Sequence, residues 1–252
     1  MSENNDSTVK ELKTKVLPSF IQDFYYSLIN PLVSFLIKRG VHPNFLTTLG
    51  LLLSIITAVL VAEGYFFMAG LMIIAAGSCD MVDGKVARAS GLGSKFGALY
   101  DSAIDRYSET ILFFGVCFYF VQNKMYITSI GGFIAISGSL MVSYIRARAE
   151  ALDLKCKVGL MQRPERLIFL SIGCLLGDLT FSEPYYPISL IIAIWAIAIS
   201  SNFTAIHRLY YIWKITFVKK ESKDEEYLQK QNVQKNGILD YINHIVKIKN
   251  KE

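Results

Sequence analysis

Six apolar runs, separated by short polar segments, dominate the middle of the sequence. They lie at residues 44–62, 65–88, 95–121, 125–149, 163–178 and 186–213. Most approach the roughly 20 apolar residues that an α-helix needs to cross a bilayer. A soluble domain with a large core is the alternative, and several apolar runs close to bilayer length argue against it. The pattern therefore predicts an all-α integral membrane protein built as a bundle of six transmembrane helices.

Both ends of the chain have a different pattern. Residues 10–40 alternate apolar and polar positions with frequent charges, which favours an amphipathic helix on the membrane surface. An ordinary soluble amphipathic helix is the alternative for this segment. The predicted organisation is an N-terminal tail and juxtamembrane helix at 1–40, a six-helix transmembrane domain at 41–216 and a charged cytoplasmic tail at 217–252.

Composition agrees with a membrane protein and excludes some other classes. The chain is 52% hydrophobic and 19% charged, and its mean hydropathy is +0.37. The net charge of +5 is small, and no basic block indicates a nucleic-acid partner. The four cysteines show no CxxC spacing, so they are interpreted as free thiols and not as zinc ligands.

The basic residues indicate how the bundle lies in the membrane. The turns "VAEGY" and "GDLTFSEPYYP" contain no Lys or Arg, and "QNKM" contains only Lys124. The opposite helix ends and loops carry most of the remaining basic residues. Because cytoplasmic loops are enriched in Lys and Arg, both termini are predicted to be cytoplasmic.

Four aspartates lie where the second and third apolar runs meet. Asp80 and Asp83 are three residues apart, and Asp101 and Asp105 are four residues apart. On helices each pair projects from one face, so the two pairs are predicted to converge at the cytoplasmic end of the bundle. Converging carboxylates repel unless cations compensate, and an all-oxygen site suits two Mg²⁺ or Mn²⁺ ions. A proton or ion relay, or simply a polar helix end, is the alternative for either pair alone.

Glycines and one arginine accompany these aspartates. Gly84 and Gly97 lie next to an aspartate or one helical turn from it. A glycine inside a helix costs about 1 kcal/mol relative to alanine, so its use here suggests that a ligand or another backbone approaches closely. Arg88 follows Asp83 by five residues and could reach a phosphate oxygen.

The whole pattern, Asp80-x2-Asp83-Gly84-x2-Ala87-Arg88-x8-Gly97-x3-Asp101-x3-Asp105, resembles the signature of the CDP-alcohol phosphotransferase (phosphatidyltransferase) family. The segment "HPNFLTTLG" is similar to that family's entry into its first span. The resemblance implies a homodimer of six-helix subunits with a two-metal site at the cytoplasmic end. It also implies a reaction in which an alcohol displaces CMP from a CDP-linked lipid or alcohol.

The resemblance also implies roles for individual residues. Asp80, Asp83 and Asp101 would be metal ligands, and Asp105 would be the general base and a further metal ligand. The CDP donor would be bound by Asn44, Thr47, Asp83, Gly84, Ala87, Arg88 and Gly97.

Arginines are concentrated at the predicted cytoplasmic ends of the later spans. They occur in "SYIRARAEA", "QRPERL" and "AIHRLYYIW" as Arg146, Arg148, Arg163, Arg166 and Arg208. Membrane anchoring explains any single one of them. Their clustering favours an acceptor that itself carries a phosphate, because guanidinium groups bind phosphate bidentately.

These arginine segments resemble the bacterial phosphatidylinositol-phosphate synthase branch of the family, which acts in the cytoplasmic membrane. That branch joins inositol 1-phosphate to CDP-diacylglycerol. The resemblance implies an inositol-phosphate pocket made by Ser143, Arg146, Arg148 and Arg208. A phosphatidylglycerophosphate synthase or another CDP-alcohol phosphatidyltransferase is the alternative. A non-enzymatic cation transporter is a remote alternative, since its acidic residues would be scattered through several spans.

Overall fold

A computed structural model of the protein describes residues 30–156, 158–179, 181–182 and 186–217. Within these residues the chain forms seven helices and one short antiparallel hairpin. The elements are α1 (30–38), α2 (Pro43–Ala62), α3 (Phe66–Ser90), α4 (Lys95–Gln122), α5 (Tyr126–Glu150), α6 (Arg163–Leu175), β1 (Phe181–Ser182), β2 (Tyr186–Pro187) and α7 (Ile188–Phe217).

Local capping signals define the helix ends nearest the aspartates. The backbone N–H of Asn44 donates to His42 Nδ1 at 3.2 Å, and Pro43 occupies the first turn of α2. Helix α3 ends at Gly91, whose φ of 71° lies in the left-handed region that glycine adopts without strain. Ser94 Oγ then accepts from the Gly97 backbone N–H at 2.9 Å and starts α4. The predicted turn between the two aspartate pairs therefore has well-defined ends.

Helix α2 packs against both α3 and α4, and α3 packs against α6. Helices α2 and α4 approach each other closely at Gly115, where an added Cβ would collide with the backbone of Ala58. The core around this contact is apolar and includes Phe66, Phe113 and Leu170, each at most 1% exposed. Close packing of these helices fixes how α3, α4 and α6 present their polar residues.

The outer surface of the helices is also apolar. Leu52, Ile127 and Ile192 are 52%, 75% and 63% exposed, as expected for side chains that face lipid. Four helices in the described part of the chain are long and apolar enough to cross a membrane, namely α2, α3, α5 and α7. The prediction of an all-α, multi-pass integral membrane protein is therefore confirmed.

The prediction of six spans is not settled by these helices. Helix α6 has 13 residues, or about 20 Å at 1.5 Å per residue, against a hydrocarbon core about 30 Å thick. It ends at Leu175 and not at residue 178 as predicted. Asp178 lies in the turn that follows the helix, and its Oδ2 accepts a hydrogen bond from the Phe67 N–H at 3.1 Å.

The described chain divides into two compact units. The larger unit holds α1 to α4, α6, the part of α5 up to Tyr144 and the part of α7 up to Ala205. The smaller unit holds residues 145–158 and the end of α7 from Ile206. Most of the predicted surface helix and of the C-terminal tail lie outside the described residues. The described part of the predicted surface helix is α1, and its Val33 packs with Leu46 and Val82.

Candidate active site

Three of the four predicted aspartates come together in the larger unit. Asp80 on α3 and Asp101 and Asp105 on α4 each contribute a carboxylate oxygen, and these oxygens all lie within 4.8 Å of one another. All three side chains are half-buried. We call these residues the aspartate cluster. The helical spacing and the short turn after α3 together bring about this convergence.

Asp83 lies outside the aspartate cluster and has its own partner. Its side chain is only 4% exposed, and its Oδ2 accepts a hydrogen bond from Thr47 Oγ1 at 2.6 Å. This contact joins the first turns of α2 to α3. Thr47 thereby holds Asp83 in one orientation, because a buried carboxylate is stabilised by a short hydrogen bond from a hydroxyl.

A guanidinium group lies between two members of the aspartate cluster. Arg163 Nη1 is 2.7 Å from Asp80 Oδ2 and 2.8 Å from Asp105 Oδ2. Arg163 is the first residue of α6, so the third helix of the site contributes a positive charge. The sequence placed this arginine on the same face as the aspartates but did not indicate a direct contact.

The aspartate cluster fits a hard divalent cation. All donor atoms are carboxylate oxygens, which Mg²⁺ and Mn²⁺ prefer. Among the described residues, Asp101 Oδ1 is buried without a hydrogen-bond partner, so a ligand position remains available. One guanidinium does not balance three carboxylates, and the excess negative charge favours a cation.

The predicted donor-binding residues surround the same helix ends. An added Cβ at Gly97 would lie 3.4 Å from Asn44 Oδ1, so Asn44 on α2 reaches the first turn of α4. An added Cβ at Gly84 would lie 3.4 Å from Arg88 Nη1, so this guanidinium packs over the glycine. Ala87 is half-buried on α3. Both glycines are half-buried, and neither has a side chain that would cover its own backbone.

A buried ion pair lies next to the aspartate cluster. Glu109 on α4 and Arg166 on α6 are 5% and 1% exposed. Arg166 Nε donates to Glu109 Oε1, Arg166 Nη2 donates to Glu109 Oε2 at 2.8 Å, and Arg166 Nη1 donates to the Met161 carbonyl at 3.2 Å. This bidentate pair was not predicted as part of the site. Its only sequence signal is spacing, since Glu109 follows Asp105 by four residues and Arg166 follows Arg163 by three.

A small cavity extends from the carboxylates into the bundle. Its volume is about 20 Å³, enough for one water molecule or ion. Its polar lining includes Thr47, Asp80, Asp83, Asp105, Glu109 and Arg163. Asp83 and Glu109 therefore face the same space as two members of the aspartate cluster and Arg163, within the larger unit.

The predicted acceptor residues are distributed over the two units. Ser143 is half-buried and lies on the part of α5 that belongs to the larger unit. In the smaller unit Arg208 is 2% exposed and its Nε donates to the Val158 carbonyl at 2.7 Å. Arg146 is exposed and its Nε donates to Glu150 Oε1 at 3.0 Å, and Arg148 is exposed as well.

Cys156 lies close enough to two of these arginines for their charges to affect its thiol. Burial raises the pKa of the Cys156 thiol, and the guanidinium groups of Arg208 and Arg146 oppose that rise. Both positive charges therefore act on one buried thiol. The smaller unit thus gathers Arg146 and Arg208 from distant parts of the sequence.

Comparison with known proteins identifies the family. The sequence profile of the CDP-alcohol phosphatidyltransferase family matches residues 40–205, which include every predicted metal and donor residue. The chain belongs to this family. The family prediction from the aspartate motif is confirmed, and this phosphatidyltransferase is a phospholipid-synthesising enzyme.

Several relatives of the phosphatidyltransferase are named phosphatidylinositol phosphate synthase. The phosphatidylinositol phosphate synthase of Mycobacterium marinum is 34% identical over 188 residues, which are 73% of this chain and 79% of the relative. A crystal structure of the Mycobacterium tuberculosis phosphatidylinositol phosphate synthase with CDP-DAG bound is 32% identical, with a TM-score of 0.66, and covers 73% of this chain and 92% of that chain. The same enzyme in complex with manganese and citrate has a TM-score of 0.64 at 32% identity, and the match covers 73% of this chain and 88% of that chain.

Proposed function

We propose that this phosphatidyltransferase transfers the phosphatidyl group of CDP-diacylglycerol to inositol 1-phosphate and releases CMP and phosphatidylinositol phosphate. The observation that carries the transfer chemistry is the convergence of Asp80, Asp101 and Asp105 inside the family's motif. The relatives named phosphatidylinositol phosphate synthase support the choice of acceptor.

The proposed cofactor is a pair of divalent ions, Mg²⁺ or Mn²⁺. We propose that Asp80, Asp83, Asp101 and Asp105 hold them. The oxygen-only donor set and the unpaired Asp101 Oδ1 support this assignment, and a related enzyme was crystallised with manganese. When bound, such ions neutralise the charge of the diphosphate and of the departing phosphate.

The side chains of the chain itself position the donor and move the proton. Asp105 is proposed to accept the proton of the attacking hydroxyl, because it is a half-buried carboxylate within the aspartate cluster. The CDP group is proposed to lie against α3 and α4 at Gly84 and Gly97, where these residues have no side chain to block its approach. The residues proposed to line it are Asn44, Thr47, Asp83, Gly84, Ala87, Arg88 and Gly97.

The proposed acceptor site consists of Ser143, Arg146, Arg148 and Arg208. Arg208 is the strongest member, because its nearly buried guanidinium is held in place by the hydrogen bond to the Val158 carbonyl, and a fixed guanidinium suits a phosphate group. Arg146 lies in the same unit and is exposed, and its present partner is the Glu150 carboxylate, which an acceptor phosphate would have to replace. A phosphorylated alcohol satisfies this site better than free inositol or serine.

The proposed arrangement in the membrane has six crossings, with α4 and α6 as the additional two. An N-terminal amphipathic helix would lie on the surface, and the catalytic domain at 41–216 would be followed by a cytoplasmic tail. The asymmetry of Lys and Arg supports cytoplasmic termini and a cytoplasmic active site. We also propose a homodimer in the bacterial inner membrane, which is what the resemblance of the sequence motifs to the family implies.

The experiment that tests the function follows CMP release by the purified protein in nanodiscs. The protein receives CDP-diacylglycerol, Mg²⁺ or Mn²⁺, and in turn inositol 1-phosphate, glycerol 3-phosphate, free inositol and serine. Fastest release with inositol 1-phosphate is expected. Preference for glycerol 3-phosphate would instead assign a phosphatidylglycerophosphate synthase, and equal turnover of the unphosphorylated alcohols would contradict the role of the arginines.

A further inference from the structure

The buried Glu109–Arg166 ion pair joins two of the helices that form the active site. It connects α4 to α6 one helical turn beyond Asp105 and Arg163, the two residues that face each other in the site. Arg166 also holds the Met161 carbonyl, immediately before α6 begins. Three hydrogen bonds from one guanidinium therefore fix the start of α6 against α4.

We propose that Glu109 and Arg166 are a positioning pair that places Arg163 in the aspartate cluster, where Arg163 is an internal counter-cation that a divalent ion must displace. This inference rests on the proposed metal site. It goes beyond that proposal because it assigns roles to Glu109, Arg163 and Arg166, which the metal site itself does not require.

Burial of the pair favours a geometric role. Replacing a buried ion pair by apolar residues is often neutral or stabilising, so such a pair is weak evidence for stability. A bidentate guanidinium–carboxylate contact does fix the relative rotation and translation of two helices, because two parallel hydrogen bonds are required at once. The starting residue of α6, Arg163, is then held at one distance from α4.

The contacts of Arg163 indicate competition with a cation. Its Nη1 is within hydrogen-bond distance of both Asp80 and Asp105, and these oxygens belong to the cluster that fits a divalent ion. Among the described residues its Nε is buried without a hydrogen-bond partner, so the carboxylates supply its specific contacts in the site. A divalent ion between these oxygens would repel the guanidinium at close range, and the arginine would have to move.

The test measures Mn²⁺ binding without substrate, by the electron paramagnetic resonance signal of free Mn²⁺, with protein in phosphatidylcholine nanodiscs. Arg163→Gln is expected to tighten binding on the order of tenfold, because one competing charge is removed and solvent screens part of its effect. Glu109→Gln is expected to tighten binding by a smaller factor, because Arg163 is less firmly placed. In the Arg163→Gln background, Glu109→Gln is expected to change nothing, since the two act through one contact.

Controls separate this role from a structural one. Glu63→Gln, the same substitution at the exposed turn after α2, should leave Mn²⁺ binding unchanged. Where Glu109→Gln does not give folded protein, Arg166→Lys keeps the charge but loses the fork, and the same dependence on Arg163 is expected. If Glu109→Gln weakened Mn²⁺ binding by the same factor in the wild-type and in the Arg163→Gln protein, the inference would be overturned. The pair would then stabilise α4 without acting through Arg163.

The proposed function is judged by a different readout. CMP release by the wild-type protein tests the transfer reaction, whereas the coupling between Glu109 and Arg163 is measured with Mn²⁺ alone. Normal CMP release with no coupling overturns only the positioning role. A wild-type protein that binds no Mn²⁺ overturns both the metal site and the role of Arg163 in it.

Discussion

The hydrogen bond from Thr47 to Asp83 gives the sharpest prediction for the donor site. Thr47→Val keeps the size and branching of the side chain but removes the hydroxyl that donates to Asp83 Oδ2 at 2.6 Å. The carboxylate is 4% exposed, so water does not readily replace the lost donor. A hydrogen bond to a charged group contributes about 1.5–3 kcal/mol, which corresponds to about a 10- to 150-fold loss when Asp83 is needed in this orientation.

The assay is CMP release at varied CDP-diacylglycerol with saturating metal and acceptor. Thr47→Val is expected to lower kcat/KM for the donor by that factor, and Thr47→Ser should retain most of the activity. Thr48→Val is the matched control, because Thr48 Oγ1 contacts Tyr100 Oη at 2.9 Å and the Asn44 carbonyl at 2.8 Å and no carboxylate. Donor kinetics of Thr47→Val within twofold of the wild type would refute the orienting role of Thr47.

The remaining predictions concern the metal, the base and the acceptor. Excess chelator should abolish CMP release and added Mn²⁺ should restore it, while Asp101→Asn should stay inactive with metal present; full turnover in chelator would exclude the metal-assisted route. Asp105→Asn should lose about 10²- to 10⁴-fold in kcat while CDP-diacylglycerol still binds in a filtration assay, and equal losses in binding and rate would assign Asp105 to the metal alone. Arg208→Gln should raise the KM for inositol 1-phosphate about 10- to 150-fold and change the KM for CDP-diacylglycerol little, as steady-state kinetics with each substrate varied will show; an equal effect on both substrates would argue against an acceptor site.

The aspartate spacing predicted much of the site, because local geometry determines it. Residues three or four apart on a helix share a face, and the glycine-containing turn after α3 restricts how α4 can return. The convergence of Asp80 with Asp101 and Asp105 follows from those two facts. The orientation of the Asp83 side chain does not follow from them. It depends on which residue of α2 lies opposite, and that residue is Thr47.

The contacts of α6 could not be predicted in this way. The segment "QRPERL" indicates a helix start with several charges, and membrane anchoring explains them equally well. Arg163 and Arg166 find Asp80, Asp105 and Glu109 only because α6 packs beside α3 and α4. Such pairings between distant segments arise from tertiary packing, which residue spacing within one helix does not encode.

The direct test of the central claim is the identity of the lipid formed from CDP-diacylglycerol and inositol 1-phosphate. The purified enzyme is incubated with Mn²⁺ and both substrates, and lipid product and CMP are quantified by mass spectrometry. Phosphatidylinositol phosphate and CMP are expected in equal amounts from the wild-type enzyme, and neither product is expected from Asp101→Asn. CMP released without that lipid, or the same lipid yield from Asp101→Asn, would contradict this claim.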